Sequence, residues 1–214
     1  MKKRTAFVGA ILSLIPLGQP LLIKTGVVLS STGLILSVPT KVNAESSDFY
    51  FDRGFEKGNN GDYYGAIADY TKAIKINPQN ASAYYNRGWN KGSLKDYYGA
   101  ISDYTKAIEI NPQDDEAYYN RGLAKRKLED YYGAISDYKK AIELNPKKVE
   151  AYNNIAFVKR KKEINDNYGA ILYATKAIEI DPYNPNPYLN RGVAKENLGD
   201  MKGACDDWRK ASSL

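Results

Sequence analysis

Apolar positions recur at helical spacing along most of the chain, and the whole pattern repeats. In one copy, apolar side chains stand three or four residues apart, as on one face of an α-helix: Ala100, Ile101, Tyr104, Ala107 and Ile108. A similar phrase precedes Pro78, Pro112, Pro146 and Pro182, which are separated by 34, 34 and 36 residues. A fixed period of this length is typical of a solenoid, in which each unit buries its apolar face against its neighbours.

Each unit carries the pattern of two helices joined by a short turn. In the second unit the pattern predicts helices over roughly 83–94 and 98–110, with a turn at 95–97. Pro112 ends the second helix because proline cannot continue it. The sequence therefore predicts an all-α solenoid of about five helix-turn-helix units, spanning residues 47–80, 81–114, 115–148, 149–184 and a truncated 185–214.

The repeated positions resemble those of the tetratricopeptide repeat family. The matching columns in the second unit are Gly88, Ala100, Tyr104, Ala107 and Pro112. The resemblance covers Ser47 to Leu214 and implies a right-handed superhelical solenoid that binds protein segments in a concave groove lined by the first helix of each unit. The chain departs from the family pattern in two columns, where arginine stands in place of the usual leucine and lysine in place of a frequent tyrosine.

The arginine column is matched by an aspartate column sixteen residues later. In the fourth unit the two columns hold Ile155 and Tyr173, so both charges are lost together. Because a buried charge without a partner is costly, the joint loss indicates an ion pair within each of the other four units. The predicted pairs are Arg53 with Asp69, Arg87 with Asp103, Arg121 with Asp137, and Arg191 with Asp207.

Two other interpretations concern the cations of these helices. The arginines could instead hold an anionic ligand, which would require accessible guanidinium groups. The lysine column is expected to extend its charged heads into water along apolar stems. Its members are Lys57, Lys91, Lys125, Lys159 and Lys195.

The opposite face of the first helices carries the candidate binding residues. It alternates aromatic or apolar side chains with a row of amides, which can donate and accept hydrogen bonds along an extended peptide. The row is similar to the asparagine ladder of some tetratricopeptide repeat proteins; the alternative is that asparagine is only a tolerated polar residue there. The predicted groove residues are Phe51, Asp52, Phe55, Tyr85, Asn86, Trp89, Tyr119, Asn120, Leu123, Asn154, Phe157 and Asn190.

A basic patch lies near the ends of the first helices in the third and fourth units. Its members are Arg126, Lys127, Arg160 and Lys161, whereas Asp48 and Asp52 lie at the other end of the groove. Cations also stabilise a helix C-terminus, so one interpretation is a solvated helix end. The other is a ligand whose acidic portion contacts this patch. The family's clamp for C-terminal carboxylates is not reproduced in this sequence.

Composition excludes several classes of function. The sequence has no histidine and one cysteine, Cys205, which aligns with isoleucines and is expected to be buried. Five of the 31 basic residues lie in the first 44 positions, which contain no acid, so the other 26 face 25 acidic residues and the net charge of the remainder is +1. We therefore expect no nucleic-acid partner, no metal or other cofactor and no catalytic site.

The first 44 residues predict export. A basic start, a long apolar stretch and small residues at Val42 and Ala44 are typical of a signal peptide cleaved after Ala44. The stretch is long and is interrupted by Lys24, so an uncleaved N-terminal membrane anchor is the alternative. Either leader would carry the remainder across the inner membrane, into a periplasm or an equivalent lumen.

Two functions follow from these patterns. The first is a non-enzymatic protein–protein interaction scaffold that binds an extended peptide segment in the groove. The second is a structural or self-associating solenoid acting through an uncapped C-terminal end, where Ala204, Trp208 and Ala211 would leave apolar surface open to a second copy.

Overall fold

The computed structural model describes residues 29–30, 33–34 and 46–214. The chain divides into two units, residues 1–43 and 44–214. In the first unit, β1 (Leu29–Ser30) and β2 (Gly33–Leu34) pair in antiparallel register, with Leu29 opposite Leu34. The rest of the predicted leader, with its cleavage site, falls outside the described residues. Within the described part of the chain, no helix has the length and apolar character needed to cross a membrane.

Residues 46–214 form a solenoid of helices, as the repeat period predicts, and the all-α fold is confirmed for this region. Helix bounds differ from the predicted ones by one or two residues. The ten helices of this region form five consecutive pairs: α1 (Ser47–Asn59) with α2 (Tyr63–Ile76), α3 (Ala81–Ser93) with α4 (Tyr97–Ile110), α5 (Asp115–Lys127) with α6 (Tyr131–Leu144), α7 (Val149–Lys159) with α8 (Asn167–Ile180), and α9 (Pro185–Asn197) with α10 (Met201–Ser212).

An aspartate cap starts the second helix of every pair. In α4 the carboxylate of Asp96 accepts a hydrogen bond from the amide of Gly99 at 2.9 Å, which satisfies one of the free N–H groups of the first turn. A Cβ atom on Gly99 would lie 2.1 Å from an oxygen of the same carboxylate, so the glycine makes room for the cap. The helix therefore begins at Tyr97, one residue earlier than predicted.

The core lies where the second helix of a pair packs against the first helix of its own pair and of the next. In the second pair, Ala100 and Ala107 are fully buried, and Tyr104 packs against Gly88, where a Cβ would stand 3.2 Å from the ring. This packing leaves the other side of the first helices open. We call the surface formed by that side of α1, α3, α5, α7 and α9 the groove face.

Candidate functional site

The arginine column lies on the packed side of the first helices, away from the groove face. Nε and Nη2 of Arg87 donate to the two carboxylate oxygens of Asp103, at 2.9 and 2.6 Å. Asp103 is buried, so the pair has the forked, charge-assisted geometry that best satisfies a carboxylate out of water. Equivalent pairs join Arg53 to Asp69, Arg121 to Asp137, and Arg191 to Asp207, at 2.6, 2.7 and 2.7 Å.

Four of the five lysines bind the same aspartates and Lys159 binds the cap residue Asp166, so the expectation that these heads extend into water was wrong. Nζ of Lys91 lies 2.8 Å from the second oxygen of Asp103, and Lys57, Lys125 and Lys195 do the same in their own units. The stem of a lysine in α3 is long enough to bring its ammonium group to the buried aspartate of α4, which lies closer to it than solvent does. Each aspartate is therefore held by two cations of the preceding helix.

Hydrogen bonds from these cations keep Asp69 and Asp207 ionised. At Asp69, the bond from Arg53 is the largest effect, and with Lys57 it overcomes burial and lowers the carboxyl pKa to about 2. At Asp207, burial is the largest single effect, but Arg191 and Lys195 together outweigh it and the pKa is also lowered.

The arginines also connect neighbouring units, which the sequence interpretation missed. Nη1 of Arg87 donates to the hydroxyl of Thr71 in the preceding unit at 3.1 Å, and Arg121 and Arg191 bind Thr105 and Thr175 in the same way. Before the fourth unit this threonine is replaced by Lys139. Ile155 there is fully buried in a core cluster against which Tyr173 packs. Three columns thus change together where the arginine is lost.

Two hollows flank Trp89 on the groove face. The first lies between the first and second units, has a volume of about 190 Å³, and is lined by Phe55, Tyr85, Asn86, Trp89 and Asn90 among others. The second lies between the second and third units, has a volume of about 230 Å³, and is lined by Trp89, Tyr97, Asn120, Leu123 and Lys127 among others. Trp89 is 45% exposed and Phe55 51%, so large aromatic side chains stand open to solvent beside both hollows.

Half-buried aromatic rings form the walls behind this row. Tyr85 packs on Tyr104 with ring centroids 5.7 Å apart, and Tyr119 on Tyr138 at 5.8 Å. Phe51 packs on Tyr70 in the same way at 5.6 Å. Burial is the main cause of the raised pKa of Tyr85, about 12, so its hydroxyl stays protonated.

The asparagine row is partly used by the scaffold. Nδ2 of Asn120 donates to the Tyr85 hydroxyl and to the Glu116 carbonyl, each at 2.9 Å. Asn154 binds Tyr119 and Glu150 equivalently, at 3.0 and 2.9 Å. Within residues 46–214, the side-chain oxygens of Asn120 and Asn154 accept no hydrogen bond, so these residues offer an acceptor but no free donor.

The two ends of the asparagine row differ from its centre. Asp52 is exposed in α1 and carries a carboxylate where the other units carry an amide. Asn190 is only 7% exposed. Its amide donates to Asn153 at 2.7 Å and accepts from Arg160 at 3.1 Å. Asn190 therefore belongs to the scaffold rather than to the exposed groove face, which corrects its predicted role.

Asn90 is a groove residue that sequence reasoning missed. It is 2% exposed and lines the first hollow, and its side-chain oxygen makes no hydrogen bond within the described residues. Its column holds Glu56 in the first unit and Ala124, Val158 and Ala194 in the later units. The change from polar to apolar residues along this column was the available signal.

The basic patch divides into an exposed and a clustered part. Lys127 is exposed and lines the second hollow. Arg126, Arg160 and Lys161 surround the ring of Phe157, with distances of 5.1, 4.7 and 4.9 Å from the charged groups to the ring centroid. Phe157 is thus a groove residue whose ring is covered by cations.

The apolar surface at the C-terminal end is formed by other residues than expected: Leu198, Met201 and Leu214 are exposed there. Ala204 is fully buried, and the Trp208 ring lies over Gly192 in α9. Cys205 is exposed, not buried, because no helix in the described chain packs on the outer side of α10. Where earlier units carry isoleucine on this side, α10 carries Cys205 and Ser212.

No group of three metal-ligating side chains occurs within the described residues.

Known proteins share the architecture described above. A family model described as Tetratricopeptide repeat matches residues 115–148, and one described as TPR repeat matches residues 59–92 and 93–128. The chain belongs to the tetratricopeptide repeat family. No match was found among curated protein sequences.

Solved structures of tetratricopeptide repeat proteins superpose on most of the chain. A crystal structure of MamA protein is 29% identical, with a TM-score of 0.73 over 78% of this chain and 90% of that chain. MamA from Desulfovibrio magneticus RS-1 has the same TM-score and coverage of this chain, covers 94% of its own chain and is 19% identical. YrrB, described as a TPR protein with an unusual peptide-binding site, is 23% identical, with a TM-score of 0.69 over 79% and 86% of the two chains. At these last two identities the likeness concerns the fold alone.

Proposed function

We propose that this protein is a non-enzymatic interaction scaffold that binds an extended protein segment along its groove face. The observation that carries the proposal is the position of Trp89, a large exposed side chain shared by two adjacent hollows. Tryptophan is strongly enriched among residues that dominate binding energy, particularly beside pockets from which water can be displaced. A segment lying across Trp89 would place side chains into both hollows.

The polar groups of the groove face suit such a segment. The side-chain oxygens of Asn120 and Asn154 are open acceptors one unit apart. Backbone N–H groups of an extended peptide are the donors that recur at regular spacing along a chain. We infer that Asn120 and Asn154 bind peptide N–H groups and do not donate to peptide carbonyls, because both N–H groups of each amide are already used. Asn86 donates only to the Ser82 carbonyl and keeps one N–H group for a peptide carbonyl.

Self-association through the C-terminal end is the less supported alternative. The outer side of α10 carries Cys205, Ser212 and a surface ion pair between Arg209 and Asp206 at 3.2 Å. Such a surface resembles the polar outer face that a terminal capping helix requires.

The experiment is selection of binders from a displayed library of random peptides with the full chain as target. Selected peptides should lose about tenfold or more in affinity for the Trp89→Ala variant, measured by fluorescence anisotropy. The matched control is Tyr98→Ala, which removes an aromatic ring that is 77% exposed but lines neither hollow. Equal affinity for the wild type and the Trp89→Ala variant would refute the groove model.

A further inference from the structure

Three cations converge on one aromatic ring of the groove face. The guanidinium carbons of Arg126 and Arg160 lie 5.1 and 4.7 Å from the centroid of Phe157, and the ammonium of Lys161 lies 4.9 Å from it. Arg126 comes from α5, and the others follow Phe157 at the end of α7. We call these three cations with their ring the Phe157 cluster.

The cations of the Phe157 cluster differ from the other arginines of residues 46–214 in having no anionic partner. Within residues 46–214, none of its three cations forms an ion pair, whereas Arg87, Arg121 and Arg191 each bind a buried aspartate. The hydrogen bond that the structure gives the side chain of Arg160 goes to a neutral amide, that of Asn190. Positive charge is thus concentrated here without a carboxylate in ion-pair contact.

One buried donor of the cluster also has no partner. Nε of Arg126 is buried and makes no hydrogen bond within the described residues, while the hydroxyl of Tyr138 faces the Arg126 side chain. Buried polar atoms are satisfied in the great majority of cases, so the unsatisfied N–H of Arg126 points to a missing acceptor. Burial also lowers the pKa of Arg160, because desolvation disfavours its charged form.

The stacking on Phe157 does not remove this imbalance. Each cation is attracted to the face or rim of the ring, but the three like charges repel one another across it. An oxyanion placed between the guanidinium groups would reverse the repulsion and accept from the free N–H donors. Guanidinium groups bind planar oxyanions through paired hydrogen bonds. Stabilising a solvated helix end would not require two arginines placed side by side.

We propose that the Phe157 cluster is an oxyanion subsite that binds a carboxylate side chain of the segment held on the groove face. The inference rests on the proposed function, and it adds the chemistry and the direction of the ligand. The acidic portion lies over the third and fourth units, while the portion over the first unit, beside the exposed Asp48 and Asp52, is neutral or basic. Those carboxylates, and the net charge of +1 after residue 44, argue against a uniform polyanion such as nucleic acid.

The test measures binding of a fluorescein-labelled peptide with glutamates in one half and neutral residues in the other. The full chain should bind it, and the Arg126→Gln, Arg160→Gln double variant should bind about tenfold more weakly. The control is Lys75→Gln, Lys147→Gln, which removes the same charge from two exposed lysines outside the cluster. An equal loss in both double variants, or no loss in either, overturns the subsite.

Further arms separate the remaining outcomes. The Arg126→Lys, Arg160→Lys variant keeps the charge and loses the forks, so it should bind with intermediate affinity; circular dichroism shows that each variant is folded. A phosphoserine peptide bound much more tightly than the glutamate peptide would overturn the carboxylate assignment in favour of a phosphate. If neutral peptides bind in a Trp89-dependent way while glutamates add nothing, the subsite fails and the groove function stands. If the cluster selects glutamates but Trp89→Ala changes nothing, the groove function fails.

Discussion

The hydroxyl of Tyr85 accepts a hydrogen bond from the side-chain amide of Asn120, 2.9 Å away in the next unit. Tyr119 and Asn154 repeat the contact one unit later at 3.0 Å. The tyrosine is half-buried and the asparagine lies on the groove face, so the contact joins the wall of the groove to its polar row. It fixes the orientation of the amide and directs its oxygen toward the ligand side.

Removing this hydroxyl should affect stability more than binding. We expect Tyr85→Phe to lower the free energy of unfolding by about 1 kcal/mol, the net contribution of one partly buried hydrogen bond. Tyr98→Phe, at an exposed position where the hydroxyl makes no contact within the described residues, should leave stability unchanged. Chemical denaturation measures both. A loss of peptide affinity larger than that of Trp89→Ala would contradict the assignment of Tyr85 to the wall.

The fourth unit, in which Ile155 and Tyr173 replace the arginine and aspartate, shows how the ion pair of another unit can be replaced. Arg87→Ile alone should destabilise by about 2 kcal/mol, less than a wholly unpaired buried charge would, because Lys91 still binds Asp103. The double variant Arg87→Ile, Asp103→Tyr copies Ile155 and Tyr173 and should recover most of the loss. Lys91 can then turn to the cap residue Asp96, as Lys159 turns to Asp166 in the fourth unit. The single and double variants form a cycle read by denaturant unfolding; a coupling energy near zero would rule out the paired role.

The repeat period and the paired columns could be read from the sequence for a physical reason. A solenoid unit meets the same neighbours each time, so every requirement of packing recurs at the same spacing. The spacing of sixteen residues between Arg87 and Asp103 is the path from the middle of one helix to the middle of the next. The joint replacement by Ile155 and Tyr173 supplied the evidence for contact.

Other contacts left a signal in the sequence that is visible only when several repeat columns are compared at once. Thr71 stands sixteen residues before Arg87, and its hydroxyl is a second acceptor for that arginine. Where Ile155 replaces the arginine, Lys139 replaces the threonine. This contact is seen in the sequence only when the threonine, arginine and aspartate columns are compared together. Cys205 was misjudged because its column is only half-buried in the earlier units, where another unit follows, and is exposed at the last one. The Phe157 cluster could be predicted as a basic patch, but not as three cations on one ring, since side-chain directions at helix ends depend on the local turn.

The pKa of Asp69 predicts a dependence of stability on acid. Its folded value of about 2 lies below the ordinary aspartate value of about 4, so the contribution is present above pH 4 and is lost as the pH falls toward 2. The size should be on the order of 1 kcal/mol, because Arg53 and Lys57 are about a third exposed and are screened by water. Thermal unfolding of the wild type and Asp69→Asn over this range measures it. Parallel curves for the two proteins would contradict the assignment.

The leader gives a prediction that concerns location. We propose export, with removal of residues 1–44, so that the mature chain begins at Glu45. Mass spectrometry of the N-terminal peptide, from bacterial cells expressing the full chain, identifies the first residue. Ala44→Phe should block processing, because the cleavage site requires a small side chain. An intact N-terminus in the membrane fraction of the wild type would favour the anchor instead.

The last prediction concerns the close approach of Gly122 to Tyr138. A Cβ on Gly122 would lie 2.7 Å from Cε1 of the tyrosine, and the ring is fully buried, so it has no room to move. Gly122→Ala should therefore destabilise by about 1–3 kcal/mol, the usual range for overpacking. In the fourth unit the same two columns hold Ala156 and Ala174, both fully buried, so an alanine is accepted where the partner ring is absent. Gly92→Ala is the control: its Cβ would meet its nearest neighbour at 3.9 Å, and better helix propensity should stabilise α3 by about 0.5 kcal/mol. Denaturant unfolding of the two variants should give changes of opposite sign, and a stabilising Gly122→Ala would show that the ring can yield.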